Sequence, residues 1–315
     1  MYRRFICFLC CFIPSISYGD DLTARAEQVF DAARIVCSGI SDEISKVSNV
    51  SKINTAVTGA GTVAAGGALV AGIKKSQEEE EIDKLVAEIC EAGGCTAEGV
   101  ENMSNEDFFN NVIQPMAEIA ELQERLEKSK KLGNWRTGLM AGTIGTNVAS
   151  AIISGVNRDQ SELIQHIQAC NTAIQSANDM SRQLKAESIN PMENPIVKKL
   201  SNVNTWCSNI DAKDVEKIEK RMTGVMGTSI AGAVIGVAGT ATSAAANSDK
   251  YMDEQNRMNL TEQEKNKKDN LNTASNVMAG ANVATGLVET GLNISLITLT
   301  KKLIKQAETC EEVFE

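Results

Sequence analysis

Nine cysteines, one histidine, one acidic run and one isolated glutamate are the side chains in this 315-residue chain whose chemistry is worth weighing first. His166 is the only histidine. A nucleophile–histidine–acid arrangement would need it, but no Gly-x-Ser-x-Gly turn or comparable nucleophile signal accompanies it, so a structural or surface role is the expectation. Cys90 and Cys95 enclose Glu-Ala-Gly-Gly. That is four intervening residues rather than the two of thioredoxin-like redox sites, and no strand-helix-strand pattern surrounds them. No further soft ligands stand at zinc spacing. Glu78 to Glu81 form an acidic run without the alternating oxygens or turn glycine of a calcium loop, and a solvated helix face with Lys74 and Lys75 beside it is the simplest reading. Glu289 interrupts an otherwise uncharged stretch. It is expected on a bundle surface, where it needs no partner, whereas burial would demand one or a raised pKa. The glycines follow no strand and have no phosphate-loop order, which excludes the usual nucleotide-binding signature. No enzyme, metal, cofactor or small-molecule substrate is expected, with a catalytic role as a remote alternative.

The cysteines are better explained by compartment. Arg3 and Arg4 precede an apolar run from Phe5 to Ile13, Pro14 ends it, and Ser17 and Gly19 place small residues before a cut at Asp20. Nine apolar residues are too few to cross a bilayer as a helix of about 20. Residues 1–19 therefore have the form of a secretory signal, and the expected location is periplasmic or extracellular, with envelope association open. Removing them leaves 296 residues with 29 basic and 41 acidic side chains, a net charge of −12 that argues against nucleic acid as partner. Cys7, Cys10 and Cys11 leave with the signal. The remaining even set, Cys37, Cys90, Cys95, Cys170, Cys207 and Cys310, suits disulfides in an exported protein.

The elements that would bring these cysteines together are helices. Prolines are sparse and no stretch alternates with the strand period of two. Ile82, Leu85, Val86 and Ile89 form one apolar stripe, and Leu163, Ile167, Cys170, Ile174, Ala177, Ser181 and Leu184 follow three-four spacing as a packing seam. Ser104 with Asp107, and Thr261 with Glu264, resemble capping boxes. Four uncharged segments, 53–73, 137–157, 223–248 and 270–288, are dominated by Gly, Ala, Ser and Thr. Such segments are poor helices alone, and close approach of backbones is their natural compensation, with Gly138, Gly142, Gly232 and Gly236 as helix-packing candidates. The expected fold is all-α.

An internal repeat organises the chain. Cys37-Ser38-Gly39-Ile40 corresponds to Cys207-Ser208-Asn209-Ile210, Met140-Ala141-Gly142 to Met278-Ala279-Gly280, and Cys170 to Cys310. The expectation is two long antiparallel helical hairpins with Gly/Ala-rich mid-sections, an arrangement that permits an elongated four-helix bundle. The first covers 20–187 with a tip insertion at about 95–114, a Pro/Asn-containing linker spans 188–206, and the second covers 207–315. The predicted disulfides are Cys37–Cys170 and Cys207–Cys310 at the hairpin bases and Cys90–Cys95 at the first tip.

Two functions fit. One is an exported, non-enzymatic structural or interaction protein of the cell envelope or exterior that binds a protein partner or itself. The other is a membrane-inserting or pore-forming protein using the Gly/Ala-rich hairpins. The scarcity of large apolar residues, and basic residues at both ends, as with Lys52 and Lys74 around the first stretch and Arg221 and Lys250 around the third, weigh toward the first. Trp135 and Trp206 are expected to be packing anchors.

Overall fold

The computed structural model describes residues 20–91, 114–187, 191, 193–208, 210–253, 256 and 260–315. The predicted signal, the tip insertion, Ser104 with Asp107, and the Cys90–Cys95 bridge lie outside the described residues or side chains. The described chain is all-α, in the order α1 (Asp20–Cys37), α2 (Ile40–Glu91), α3 (Gln114–Val156), α4 (Ser161–Glu187), α5 (Pro195–Cys207), α6 (Ala212–Ala246), α7 (Asp249–Met252) and α8 (Glu262–Glu311), with a 3-10 turn at Glu312–Phe314. No strand occurs among the described residues.

Local chemistry sets the helix ends. Gly39 adopts φ +81°, a left-handed conformation that lets the backbone turn from α1 into α2 within two residues. Pro195 opens α5 with its missing N–H harmless at the first position, and Asn194 Oδ1 accepts from Ile196 N at 3.0 Å. Asp211 Oδ1 likewise accepts from Lys213 N at 2.9 Å at the start of α6. The Thr261–Glu264 capping box forms reciprocally: Thr261 N donates to Glu264 Oε2 at 3.0 Å, and Glu264 N donates to Thr261 Oγ1 at 3.3 Å.

The chain divides into two compact units, each drawing on both halves of the sequence. One comprises residues 1–48, 159–219 and 298–315, the other 49–158 and 220–297. The first unit has a core of ordinary type. α4 packs against α1 and α5 and buries Leu163, Ile167, Cys170, Ile174, Ala177, Ser181 and Leu184. Ala26, Phe30 and Ala33 of α1 and Ile196, Val197, Leu200 and Val203 of α5 are buried as well. Phe30 and Phe314 meet with ring centroids 5.4 Å apart, and the Lys199 ammonium lies 5.3 Å from the Phe30 centroid. Each such fully buried large side chain contributes about 1.5–3 kcal/mol.

The second unit is a four-helix bundle built from parts of α2, α3, α6 and α8, and its phase is strict. On α2 the inward series Ser51, Asn54, Thr58, Gly61, Ala65, Ala68, Gly72, Lys75 and Glu79 alternates three and four residues apart, with Ala71 also buried beside it and the apolar Ile82, Leu85 and Val86 buried beyond it. α3 buries Ser129, Gly133, Arg136, Met140, Thr143, Asn147, Ser150 and Ser154 with the same alternation. On α6 the positions are Met222, Val225, Ser229, Gly232, Gly236, Gly239, Ser243 and Ala246, and on α8 they are Lys268, Asn272, Ser275, Ala279, Asn282, Gly286, Glu289 and Asn293. A spacing averaging 3.5 is the repeat of left-handed supercoiled packing. Here most of the repeating residues are small or polar, with Met140, Met222 and Val225 as larger apolar members.

Candidate functional site

The polar interior of the four-helix unit is the feature that needs a chemical account. Asn54 Nδ2 donates to Ser154 Oγ at 2.9 Å and to Asn293 Oδ1 at 3.4 Å, joining α2, α3 and α8. One layer further along, Glu289 of α8 is 1% exposed. Its Oε1 accepts from Ser150 Oγ of α3 and, at 2.6 Å, from Ser229 Oγ of α6. The two serine oxygens are themselves 2.9 Å apart. Asn147 then lies over Gly232, and Asn282, in the amide orientation that satisfies both its atoms, donates to Gly232 O at 2.8 Å and accepts from Gly236 N at 3.3 Å. Ala68, Met140 and Ala279 follow as an apolar plug flanked by Leu69, Leu139 and Met278. Beyond the plug Arg136 donates to Ser243 Oγ at 2.9 Å, Asn276 Oδ1 at 3.0 Å and Asn272 Oδ1 at 3.1 Å. Lys75 pairs with Glu79, and Lys268 Nζ lies 3.3 Å from Glu79 Oε2, all three buried.

The outside of the same unit is its inverse. Val63, Val70, Ile73, Val148, Ile152, Ile230, Val234, Val277 and Leu287 are exposed. No Asp, Glu, Lys or Arg occurs in 53–73, 137–157 or 222–248, and Glu289, facing inward, is the only one in 270–300. Twenty-one helical residues rise about 30 Å, the thickness of a bilayer's hydrocarbon core. Lys52, Arg158, Arg221 and Lys301 border these runs at one end, and Lys74, Arg136, Asp249 and Asp269 at the other. Trp135 is 69% exposed beside Arg136. Four helices are long and apolar enough to cross a membrane.

The predicted site residues are distributed as follows. Cys37 is bonded to Cys170, with Cα atoms 4.8 Å apart, and Cys207 to Cys310, with Cα atoms 4.6 Å apart. The Sγ atoms of Cys37, Cys170 and Cys310 lie within 4.8 Å of one another, so the two bridges sit side by side in the first unit. Gly232 and Gly236 occupy core positions. A Cβ on Gly232 would meet Asn147 Nδ2 at 2.5 Å, and one on Gly236 would meet Ile144 Cγ1 at 2.8 Å. Gly138 and Gly142 require correction. Because Arg136, Met140 and Thr143 take the inward phase, these two glycines face outward with nothing within 4 Å of an added Cβ.

Three other expectations are overturned. Glu289 is buried rather than on the surface, because the seam phase places it inward among serines. Glu79 is buried with Lys75 instead of belonging to a solvated face, while Glu80 and Glu81 stay exposed. Trp135 and Trp206 are exposed rather than packing anchors. His166 is half-buried in the first unit, with Nε2 2.8 Å from Val36 O and Nδ1 3.2 Å from Glu43 Oε1. These contacts tie α4 to the α1–α2 turn.

Outside the bundle the charged groups behave as surface pairs. Lys250 donates to Glu264, and the Thr261 N–H and hydroxyl add to it, holding the Glu264 carboxyl down at about 2. Lys217, 2.6 Å from Asp214, lowers that carboxyl's pKa, with Lys302 assisting at 3.3 Å. No protein-family model, curated protein or solved structure matches this chain.

Proposed function

We propose that this protein is an exported, non-enzymatic helical protein whose four Gly/Ala-rich segments span a bilayer as a bundle. One observation carries the reading. In the four-helix unit the polar side chains face inward and hydrogen-bond to one another, whereas the outward residues over about 30 Å are uncharged and largely Val, Ile, Leu, Ala and Gly. Water would favour the opposite arrangement, since each exposed valine or isoleucine forgoes the gain of burial. Lipid favours the observed one. The interior polar groups find partners inside the protein, and small residues allow the backbones to approach without a hydrophobic drive between helices. The sparse large apolar residues that weigh against membranes in the sequence are concentrated on the outer face.

The buried Ala68–Met140–Ala279 layer supports a closed interior over an open channel. Sodium carbonate extraction of membranes from expressing cells tests the reading. The expected result is retention in the membrane pellet, and quantitative release into the supernatant would overturn it.

A further inference from the structure

Glu289 is an ionisable side chain inside the predicted bilayer span, and such a position calls for a function. We propose that Glu289, held by Ser150 and Ser229, is a proton-binding site within the membrane bundle that exchanges with the side marked by Lys52, Arg158, Arg221 and Lys301. The inference rests on the membrane reading above.

Three observations point to it. First, the carboxylate is buried and hydroxyl-solvated. Both serines donate to Oε1, and among the described residues no lysine, arginine or histidine forms an ion pair with it. Among the described residues no titratable side chain faces it from any of the four helices. The nearest along each are Lys52 on α2, six residues before Thr58; Arg158 after α3, eight beyond Ser150; Arg221 on α6, eight before Ser229; and Lys301 on α8, twelve beyond Glu289. Lys52, the closest of these along its helix, stands about 9 Å of helix away and turns its ammonium back to Asn49 Oδ1 at 3.1 Å, and the Arg221 guanidinium donates to Ser295 O at 3.1 Å. A lone carboxyl in that setting is neutralised by taking up a proton.

Second, the interior is polar along the path from Glu289 toward the Lys52 end. Between Glu289 and the Lys52 end lies the Asn54–Ser154–Asn293 layer, where Asn54 Oδ1 and Asn293 Nδ2 are buried and make no hydrogen bond among the described residues. That hydrogen-bonding capacity is what a water carrying a proton would use. Third, the other direction passes Asn147 and Asn282 and then meets the apolar Ala68, Met140 and Ala279 plug. The plug separates Glu289 from the Arg136, Lys75 and Lys268 layer. Exchange is thus one-sided in this state.

The test treats the full chain in washed membranes with dicyclohexylcarbodiimide between pH 5 and 9, followed by peptide mass spectrometry. This apolar reagent adds across the protonated carboxyl: the acid proton moves to a carbodiimide nitrogen and the carboxyl oxygen bonds to the central carbon. Labelling of Glu289 that declines as pH rises is the expected result, with Glu289→Gln unlabelled at that position. Ser229→Ala removes a hydrogen bond to the ionised form and should shift the labelling midpoint upward by about one pH unit, a tenfold change in proton affinity. Carbonate-resistant protein in which Glu289 stays unlabelled, or is labelled equally at every pH, overturns the inference and leaves the membrane reading standing. Release by carbonate overturns the membrane reading and the inference with it.

Discussion

Val63→Lys separates the lipid and water readings with one residue. Val63 is 77% exposed on α2, eleven residues from both Lys52 and Lys74, so it stands about 16 Å from either charged border. A lysine there is too deep to snorkel its ammonium to an interface. At the centre of a spanning helix a lysine costs about 2.5–3.5 kcal/mol, and the lost valine about 0.3 more. The expected penalty is therefore about 3 kcal/mol, roughly a hundredfold in the equilibrium between the embedded and non-embedded states. If the same face met water, an exposed substitution of this kind would change stability by no more than about 0.5 kcal/mol. The assay measures the carbonate-resistant fraction and, in mixed micelles, the SDS mole fraction at which helical circular dichroism is lost. Gln77→Lys, on the exposed face of α2 beyond the uncharged run, is the matched control. Equal behaviour of Val63→Lys, the control and the parent would refute the assignment of the outer face to lipid.

Gly236→Ala should destabilise by about 1–3 kcal/mol in the same unfolding assay, because its methyl would press on Ile144; Gly138→Ala and Gly142→Ala, facing open space, should show no loss. Tryptic peptides prepared without reductant should contain Cys37 joined to Cys170 and Cys207 to Cys310, and a Cys37–Cys207 peptide would contradict the structure. Because the cysteines are at most 1% exposed, dithiothreitol should reduce these bridges slowly unless denaturant is present, and mass spectrometry after alkylation gives the rate. Lowering the pH should remove the contribution of the Glu264 cap: its folded pKa, about 2, lies below the ordinary value of 4.5, so the stabilisation is complete above about 4.5 and disappears as pH falls toward 2. Melting curves of the parent and Glu264→Gln should converge over that window, and a constant difference down to pH 2 would contradict the assignment.

The regular parts of the fold were legible because they rest on spacing. The α4 seam from Leu163 to Leu184, the Thr261–Glu264 cap and the two long cysteine pairs all follow from register and distance along the chain. The interior of the four-helix unit was harder to read because the usual equation of apolar with buried is reversed there. Val63, Val70 and Ile73 form a visible apolar set on α2, yet they mark the outside, and the inward phase is carried by Asn54, Thr58, Gly61, Ala65 and Ala68. Gly138 and Gly142 have the four-residue spacing of a packing pair, but local spacing does not tell which face is inward. That phase is fixed by Arg136, Met140, Thr143 and Asn147, whose polar members do not look like core residues in isolation. Glu289 was placed wrongly for the same reason: its serine partners come from two other helices, 139 and 60 residues away.

The sulfur linkages limit how the bundle can come apart. Each closes a ring through one hairpin, 133 residues in the first and 103 in the second. Within either ring the outgoing and returning limbs are covalently closed, so neither can drift off as a free strand. Among the described residues no disulfide crosses the seam between one hairpin and the other, which is crossed by the Ser150–Glu289 and Asn54–Asn293 hydrogen bonds. Any large rearrangement of this protein while oxidised is therefore a parting of two jointed pairs, like a clasp opening, rather than a scattering of four rods.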